Sequence, residues 1–200
     1  IAIVGDSFAE GFAVKSNENI SSVLRKDGFS IVNMGKTGNG PLLELATLKE
    51  YVKPLKPKIV LWLYYVNDLS DLEHEMKSSI LKKYLNEEDY SQNLISRQEE
   101  IDEVLKNYVQ SEWKKAREVE REMESVKLSN NYVTKITKLY NLRIRTNLTF
   151  TPTSAPRPTS TLIFKDILQK SKQMVSSWDG KMYLVYLPGL DRYSTGNEHP

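Results

Sequence analysis

The sequence has no cysteine among its 200 residues and only two histidines, His74 and His199. The absence of cysteine excludes a disulfide framework, a cysteine-ligated zinc site, an iron–sulfur cluster and a cysteine nucleophile. Two histidines, one of them the penultimate residue, also exclude a histidine-rich metal site.

Long hydrophobic runs and an excess of one charge are also missing. No apolar run approaches the ~20 residues that a membrane-spanning helix needs. The formal net charge of +2 is too small to favour binding to nucleic acid or to an anionic membrane. We therefore expect no nucleic-acid partner and no membrane span in this chain. The length suits one domain with an insertion, or at most two small domains.

Four short apolar runs, each closed by glycine, proline or polar residues, have the pattern of buried parallel strands. They are Ile1–Val4, Ser30–Met34, Lys58–Tyr65 and Lys181–Leu187. Helical segments over about 16–26 and 42–52 separate the first three runs. This alternation predicts βαβ units, and therefore an α/β fold with a parallel sheet.

The alternation is interrupted between about 70 and 160. Apolar residues three and four apart predict a helix from Leu72 to Tyr84 and a long charged helix within 97–127. Residues 146–160 contain three prolines and predict an extended loop. We predict a core of residues 1–69 and 161–200 and a helical insertion over 70–160. The insertion either packs on the core or forms a lid or a partner surface over the functional edge.

Three polar or glycine-rich segments follow the first three predicted strands. They are Gly5-Asp6-Ser7-Phe8, the loop from Asn33 to Gly40, and Tyr65-Val66-Asn67-Asp68. Loops that follow parallel strands meet at one edge of an open α/β sheet, where ligands bind. We therefore expect these three segments to lie close together, although they are far apart in the sequence.

The three segments, taken in this order, resemble the first three conserved blocks of the SGNH hydrolases, also called GDSL esterases. Phe8 stands where leucine is commoner in that family, and Tyr65 stands where it often has glycine. The resemblance covers about 1–71 and, loosely, the fourth strand, but not the insertion. It implies a three-layer, flavodoxin-like α/β fold and no metal or organic cofactor.

The resemblance also implies roles for individual residues. Ser7 is the expected nucleophile, since a serine on the turn after a buried strand is exposed for attack. The backbone N–H groups of Ser7 and Gly38 and the side-chain amide of Asn67 are the expected oxyanion donors. We expect Asp6 to stabilise the loop rather than to react.

Each of these residues also has a structural interpretation. Ser7 is alternatively a helix N-cap assisted by Asp6, Gly38 a turn glycine, and Asn67 an N-cap for the helix that follows it. A glycine-rich loop also suits phosphate binding, but the second segment lacks the Gly-Lys-Ser/Thr ending of a phosphate loop.

The general base is the missing element of this interpretation. The family places a histidine in an Asp-x-x-His block near its C-terminus, and this sequence has no such block. His74 lies in a charged helical stretch, where we expect an exposed surface residue. His199 follows the fourth strand and is one candidate, but we expect the base, and a fifth strand, beyond Pro200 in a longer polypeptide.

The sequence thus predicts a serine ester hydrolase that acts through an acyl-enzyme on an acylated lipid, sugar or polysaccharide. The alternatives are an O-acyltransferase domain of the same fold and a non-catalytic binding or scaffold module that has lost its base. The oligomeric state and the compartment are left open.

Overall fold

The structure is a computed structural model that describes residues 1–127 and 158–189. Most of the predicted proline-containing loop and the candidate base His199 lie outside the described residues. The predicted sheet and the three candidate loops lie within them.

A four-stranded, fully parallel sheet forms the centre of the structure and confirms the predicted α/β fold with a parallel sheet. Its strands lie in the spatial order β2-β1-β3-β4. Ala2 pairs with Val32 on one side and with Val60 on the other, and Trp62 pairs with Leu184. The strands are β1 (Ala2–Val4), β2 (Val32–Asn33), β3 (Ile59–Tyr64) and β4 (Lys181–Tyr186).

The helices near the sheet begin and end where capping residues direct them. The predicted helix over 16–26 begins only at Ile20, because the Asn19 side chain accepts the backbone N–H of Ser22 at 2.8 Å. The predicted helix from Leu72 to Tyr84 is instead two helices, since Ser78 caps the second of them. The helices are α1 (Ser7–Glu10), α2 (Ile20–Lys26), α3 (Pro41–Thr47), α4 (Asp68–Glu75), α5 (Ser79–Asn86), α6 (Gln98–Lys127) and α7 (Pro158–Ser176); α3 continues through a π-helical turn (Leu48–Val52) and a 3₁₀ turn (Lys53–Leu55).

Side chains alternate between the two faces of the sheet, and helices cover both faces. Val4 and Trp62 point to the face that packs against residues of α3, α4, α5 and α7. Ile3 and Leu63 point to the opposite face, against residues of α1 and α2. This is the arrangement expected for right-handed βαβ crossovers, because the chain steps one way from β1 to β2 and the other way from β2 to β3.

The chain divides into two compact units. The first comprises Ile1–Ile95 and Thr153–Pro200, and the second comprises Ser96–Pro152. Residues 70–95, which the sequence assigns to the insertion, therefore lie with the sheet. The reason is packing, because Leu72 and Tyr84 are fully buried in the first unit. In the second unit, the described residues form the long helix α6.

Candidate active site

The three candidate loops follow β1, β2 and β3 at one edge of the sheet. The strand order reverses direction between β1 and β3, since β2 lies on one side of β1 and β3 on the other. Ligands of open α/β sheets bind outside the carboxyl ends of the strands at such a switch point. The loop after β1 carries Ser7 and the loop after β3 carries Asn67, so the topology places both at this point.

Ser7 is the half-buried first residue of α1, directly after the turn that leaves β1. Gly5 makes this turn with φ +153, and a Cβ there would lie 2.8 Å from the Cβ of Ala9. Asp6, not Ser7, is the N-cap of α1, because its carboxylate accepts the Phe8 N–H at 2.9 Å. Among the described residues, the Ser7 hydroxyl makes one hydrogen bond, which it donates to Asp6 Oδ2 at 3.5 Å. The N-cap interpretation of Ser7 is therefore wrong.

The loop after β2 packs its first glycine tightly and leaves its second one open. A Cβ on Gly35 would lie 2.5 Å from the backbone nitrogen of Glu10. Asn33 supports this approach, since it accepts the Gly35 N–H at 2.9 Å and donates to the Ala9 carbonyl at 2.6 Å. Gly38 has φ +85, is exposed, and has no described atom within 4 Å of an added Cβ. The predicted oxyanion donor therefore lies on an exposed turn with open space above it.

Glu10 joins this second loop to the helix that begins at Ser7. Its carboxylate accepts the Lys36 ammonium at 2.8 Å and the Thr37 backbone N–H at 2.6 Å, and it also accepts the Thr37 hydroxyl. These hydrogen bonds, that of Lys36 above all, lower the pKa of Glu10 from 4.5 to about 2. Sequence reasoning missed Glu10, because nothing in the sequence pairs a glutamate with a lysine 26 residues later.

Asn67 lies at the N-terminus of α4, but its side chain does not cap the helix. Its amide Nδ2 donates to Asp71 at 2.9 Å, and among the described residues its buried Oδ1 has no hydrogen-bond partner. Bonding to Asp71 uses one N–H of the amide and leaves the other free to donate. The N-cap interpretation of the Asn67 side chain is therefore wrong, and Asp71 orients the amide instead.

Contacts between the loops bring the three segments together. The Lys36 N–H donates to the Gly5 carbonyl at 3.1 Å, which joins the second loop to the first. The rings of Phe8 and Tyr65 lie 4.4 Å apart, which joins the first loop to the third. The Gly40 N–H donates at 2.7 Å to Glu75 in the last turn of α4, which joins the second loop to the helix that follows the third. The predicted convergence at one sheet edge is thus what the structure shows.

Carboxyl groups are buried beneath these loops, and burial raises their pKa values. The pKa of Asp68 rises to about 8, mainly through burial and then through the nearby Asp6 and Asp71, although the Tyr65 N–H opposes the shift. Burial raises the pKa of Glu75 to about 7, although the hydrogen bonds that its carboxylate accepts from backbone N–H groups at the start of α3 oppose this shift. Burial and three neighbouring carboxyls raise the pKa of Glu44 well above its usual range.

The general base is not found among the described residues. His74, the one histidine within 1–127 and 158–189, is exposed in the last turn of α4, as its charged surroundings predict. Among the described residues, Asp6 is the one carboxylate within hydrogen-bonding distance of Ser7. Its other oxygen accepts the Phe8 N–H. Asp6 thus stabilises the turn, and His199 lies outside the described residues.

A cavity of about 410 Å³ lies where α3, α5 and α7 end, and none of the three candidate residues lines it. Lys49 and Lys170 line it, but their ammonium groups donate to backbone carbonyls at the end of α5. Burial, and then Lys53 and Lys170, lower the pKa of Lys49. These lysines offset the partial negative charge of helix C-termini, so their charge does not by itself indicate an anion site.

Two features are absent from residues 1–127 and 158–189. No group of acidic or histidine side chains there is arranged to hold a metal ion. None of the helices there is long and apolar enough to cross a membrane.

Comparison of the chain with protein-family models, with curated proteins and with solved structures gives no match.

Proposed function

We propose that this chain is a serine ester hydrolase of the SGNH type, with Ser7 as its nucleophile. The observation that carries the proposal is the convergence of three loops at the switch point of the sheet, with Ser7 on the first, Gly38 on the second and Asn67 on the third. The order β2-β1-β3-β4 also equals the first four positions of the flavodoxin-like order. It supports the finer assignment to a three-layer, flavodoxin-like fold.

The reaction follows from the chemistry of these groups. The Ser7 Oγ attacks the ester carbonyl carbon while a general base takes the hydroxyl proton. The N–H groups of Ser7 and Gly38 and the free N–H of the Asn67 amide stabilise the oxyanion that forms. The intermediate then expels the alcohol, which takes the proton from the base. Water attacks the acyl-Ser7 ester, releases the carboxylic acid and restores the hydroxyl.

In this proposal the general base lies outside the described residues, and His199 is the candidate for it. The substrate class is an ester of a small molecule or a glycan. The Phe8 and Tyr65 rings beside Ser7 offer an apolar surface to the acyl group, while the exposed Lys36 and Thr37 lie on the side of the second loop.

A fluorophosphonate probe and short p-nitrophenyl esters test the proposal. We expect wild-type protein to be labelled at Ser7 and to hydrolyse the esters, and we expect Ser7→Ala to lose both activities. Ser70→Ala is the matched control, because Ser70 is an exposed serine on α4 at the same sheet edge. Labelling at another residue, or unchanged turnover in Ser7→Ala, would contradict the assignment. A folded wild-type protein that is never labelled and never turns over ester would favour the non-catalytic module.

A further inference from the structure

Helix α3 begins without a capping side chain of its own. Its N-cap residue is Gly40, which has no side chain to accept the free backbone N–H groups of the first turn. Glu75, in the last turn of α4, supplies the acceptors instead. One of its carboxyl oxygens accepts the Gly40 N–H at 2.7 Å, and the other accepts the Leu42 N–H at 2.8 Å. The cap of α3 therefore comes from a residue 35 positions further along the chain.

Close packing joins the same two segments. A Cβ on Gly40 would lie 2.8 Å from the Cβ of Asp71 and 2.9 Å from the carboxyl carbon of Glu75. The backbone of Gly40 is extended, a conformation that any residue adopts, so glycine is needed here for space and not for its dihedral angles. Gly40 and Glu75 are both buried. The end of the second loop therefore packs directly on α4.

The proposed oxyanion donor Asn67 lies on the same face of α4 as this contact. Asn67, Asp71 and Glu75 are four residues apart, and side chains at that spacing are neighbours along a helix. Asp71 accepts the Asn67 amide at 2.9 Å, and its Cβ lies beside Gly40. One face of α4 therefore contacts the end of the second loop and orients the amide that follows β3.

We infer that Glu75 is a positioning residue that sets the separation between two proposed oxyanion donors, the Gly38 N–H and the Asn67 amide. The catalytic consequence rests on the proposed function. Glu10 holds the start of the second loop, and Glu75 holds its end at Gly40. Gly38 lies between these two contacts on a turn with open space above it, so its position depends on both.

Amide hydrogen exchange tests the contact between Glu75 and the start of α3 without any substrate. In Glu75→Ala, the Gly40 and Leu42 amides lose their acceptor, so we expect both to exchange about tenfold faster or more. Glu75→Gln keeps one acceptor oxygen but turns an NH₂ group toward a backbone N–H, so its effect should be intermediate. Glu73→Gln is the matched control, because Glu73 lies on the same helix but accepts the Ser160 hydroxyl at 2.9 Å.

Amides of β3 show how much global unfolding contributes to these rates. Faster exchange at the start of α3, with unchanged exchange in β3, supports the contact. Glu75→Gln keeps the shape of the side chain and supplies the result if Glu75→Ala does not fold. The inference is overturned if the Gly40 and Leu42 amides both keep their wild-type rates in every folded Glu75 variant, or if Glu73→Gln accelerates them equally.

Steady-state kinetics test the positioning role. We expect Glu75→Ala to lower kcat about tenfold or more with little change in KM, because a misplaced donor weakens binding of the oxyanion and not of the ester. Glu75→Gln should lose less, and Glu73→Gln should keep the wild-type kcat. Gly40→Ala should also lower kcat, since its Cβ pushes the loop away from α4 without removing an acceptor.

A double variant distinguishes positioning from a general loss of activity. Once Asn67→Ala has removed the amide, its separation from Gly38 no longer matters, so adding Glu75→Ala should lower kcat by a clearly smaller factor than in wild-type protein. Equal factors in the two backgrounds, or a wild-type kcat in Glu75→Ala, would overturn the positioning role. If wild-type protein hydrolyses no ester, the proposed function fails, whereas the exchange rates still decide whether Glu75 holds the loop.

Discussion

Glu10 offers the sharpest test of how the second loop is held against the Ser7 helix. In Glu10→Ala, Lys36 and Thr37 lose the carboxylate that accepts them at 2.8 and 2.6 Å. The Lys36 side chain is 67% exposed, so the ion pair contributes at most about 1 kcal/mol. The exposed Thr37 N–H regains water, so its hydrogen bond contributes a similar amount. We therefore expect the free energy of unfolding to fall by about 1–2 kcal/mol, with the protein still folded.

We expect Glu10→Ala to affect kcat more clearly than it affects the free energy of unfolding. Removing an oxyanion donor outright costs about 10²- to 10³-fold in kcat. If Gly38 is the donor that we propose, loosening its loop keeps that donor but misplaces it, so we expect a loss of about tenfold or more in kcat. Glu10→Gln keeps an acceptor for the Thr37 N–H but loses the charge that binds Lys36, so its loss should be smaller.

Amide hydrogen exchange measures the same connection without any substrate. The Thr37 amide should exchange faster in Glu10→Ala than in wild-type protein, while amides in β3 keep their rates. Glu18→Ala is the control, since Glu18 forms an exposed 3.6 Å ion pair with Lys15 and contacts neither loop. If Glu10→Ala keeps both the wild-type exchange rate at Thr37 and the wild-type kcat, the reasoning is refuted.

The pKa of Glu10 adds a pH dependence to this connection. Because the folded-state pKa is lowered from 4.5 to about 2, the stabilisation is present above pH 4.5 and is lost as the pH falls toward 2. Exchange at Thr37 should therefore stay slow at pH 4 and accelerate only near pH 2, relative to an unprotected reference amide. Acceleration already at pH 4 would show that the carboxylate is not held by Lys36 and Thr37.

Two further predictions concern packing and pH. Gly35→Ala should destabilise the fold by about 3 kcal/mol or more in urea denaturation, because its Cβ would lie 2.5 Å from the Glu10 nitrogen, whereas Gly28→Ala, with φ +86 and open space, should cost only about 1 kcal/mol. Equal losses would contradict the close approach. The raised pKa values of Asp68, about 8, and Glu75, about 7, mean that folding takes up protons, so the free energy of unfolding should fall between pH 5 and 7. The slope should approach ~1.4 kcal/mol per pH unit for Asp68 and should drop to about half of that for Glu75 near pH 7. Stability that is flat or rises over this range would show that these carboxyls are ionised when buried.

The sheet was predictable because the cause of each strand is local. The continuous apolar runs of β1 and β3 are largely buried, as predicted. The predicted burial is wrong for β2 and β4, where Val32 is 39% and Leu184 48% exposed. The helix boundaries were less predictable. The apolar stripe from Leu72 to Tyr84 has helical spacing throughout, but Ser78 accepts the Leu81 N–H at 3.3 Å and begins a second helix. A cap of this kind depends on the rotamer of one side chain, and the spacing of apolar residues carries no information about that rotamer.

The candidate site also has a part that the sequence predicts and a part that only the structure shows. Ser7, Gly38 and Asn67 could be selected from the sequence because each lies in a polar or glycine-rich segment after a predicted strand. Asp6 as the N-cap of α1, and Asp71 as the partner of the Asn67 amide, depend on side-chain direction. Both overturned a capping interpretation that the sequence alone had left open.

The sequence by itself determined the parallel α/β sheet and the three loops at one of its edges, because burial of apolar strands and the chirality of βαβ crossovers follow from local pattern. Only the tertiary structure decided what supports those loops. Glu10 holds the second loop through Lys36 and Thr37, and Glu75 accepts the Gly40 N–H at the end of that loop. Such contacts join residues tens of positions apart, and the ionisation of a carboxyl depends on what surrounds it after folding rather than on its neighbours along the chain.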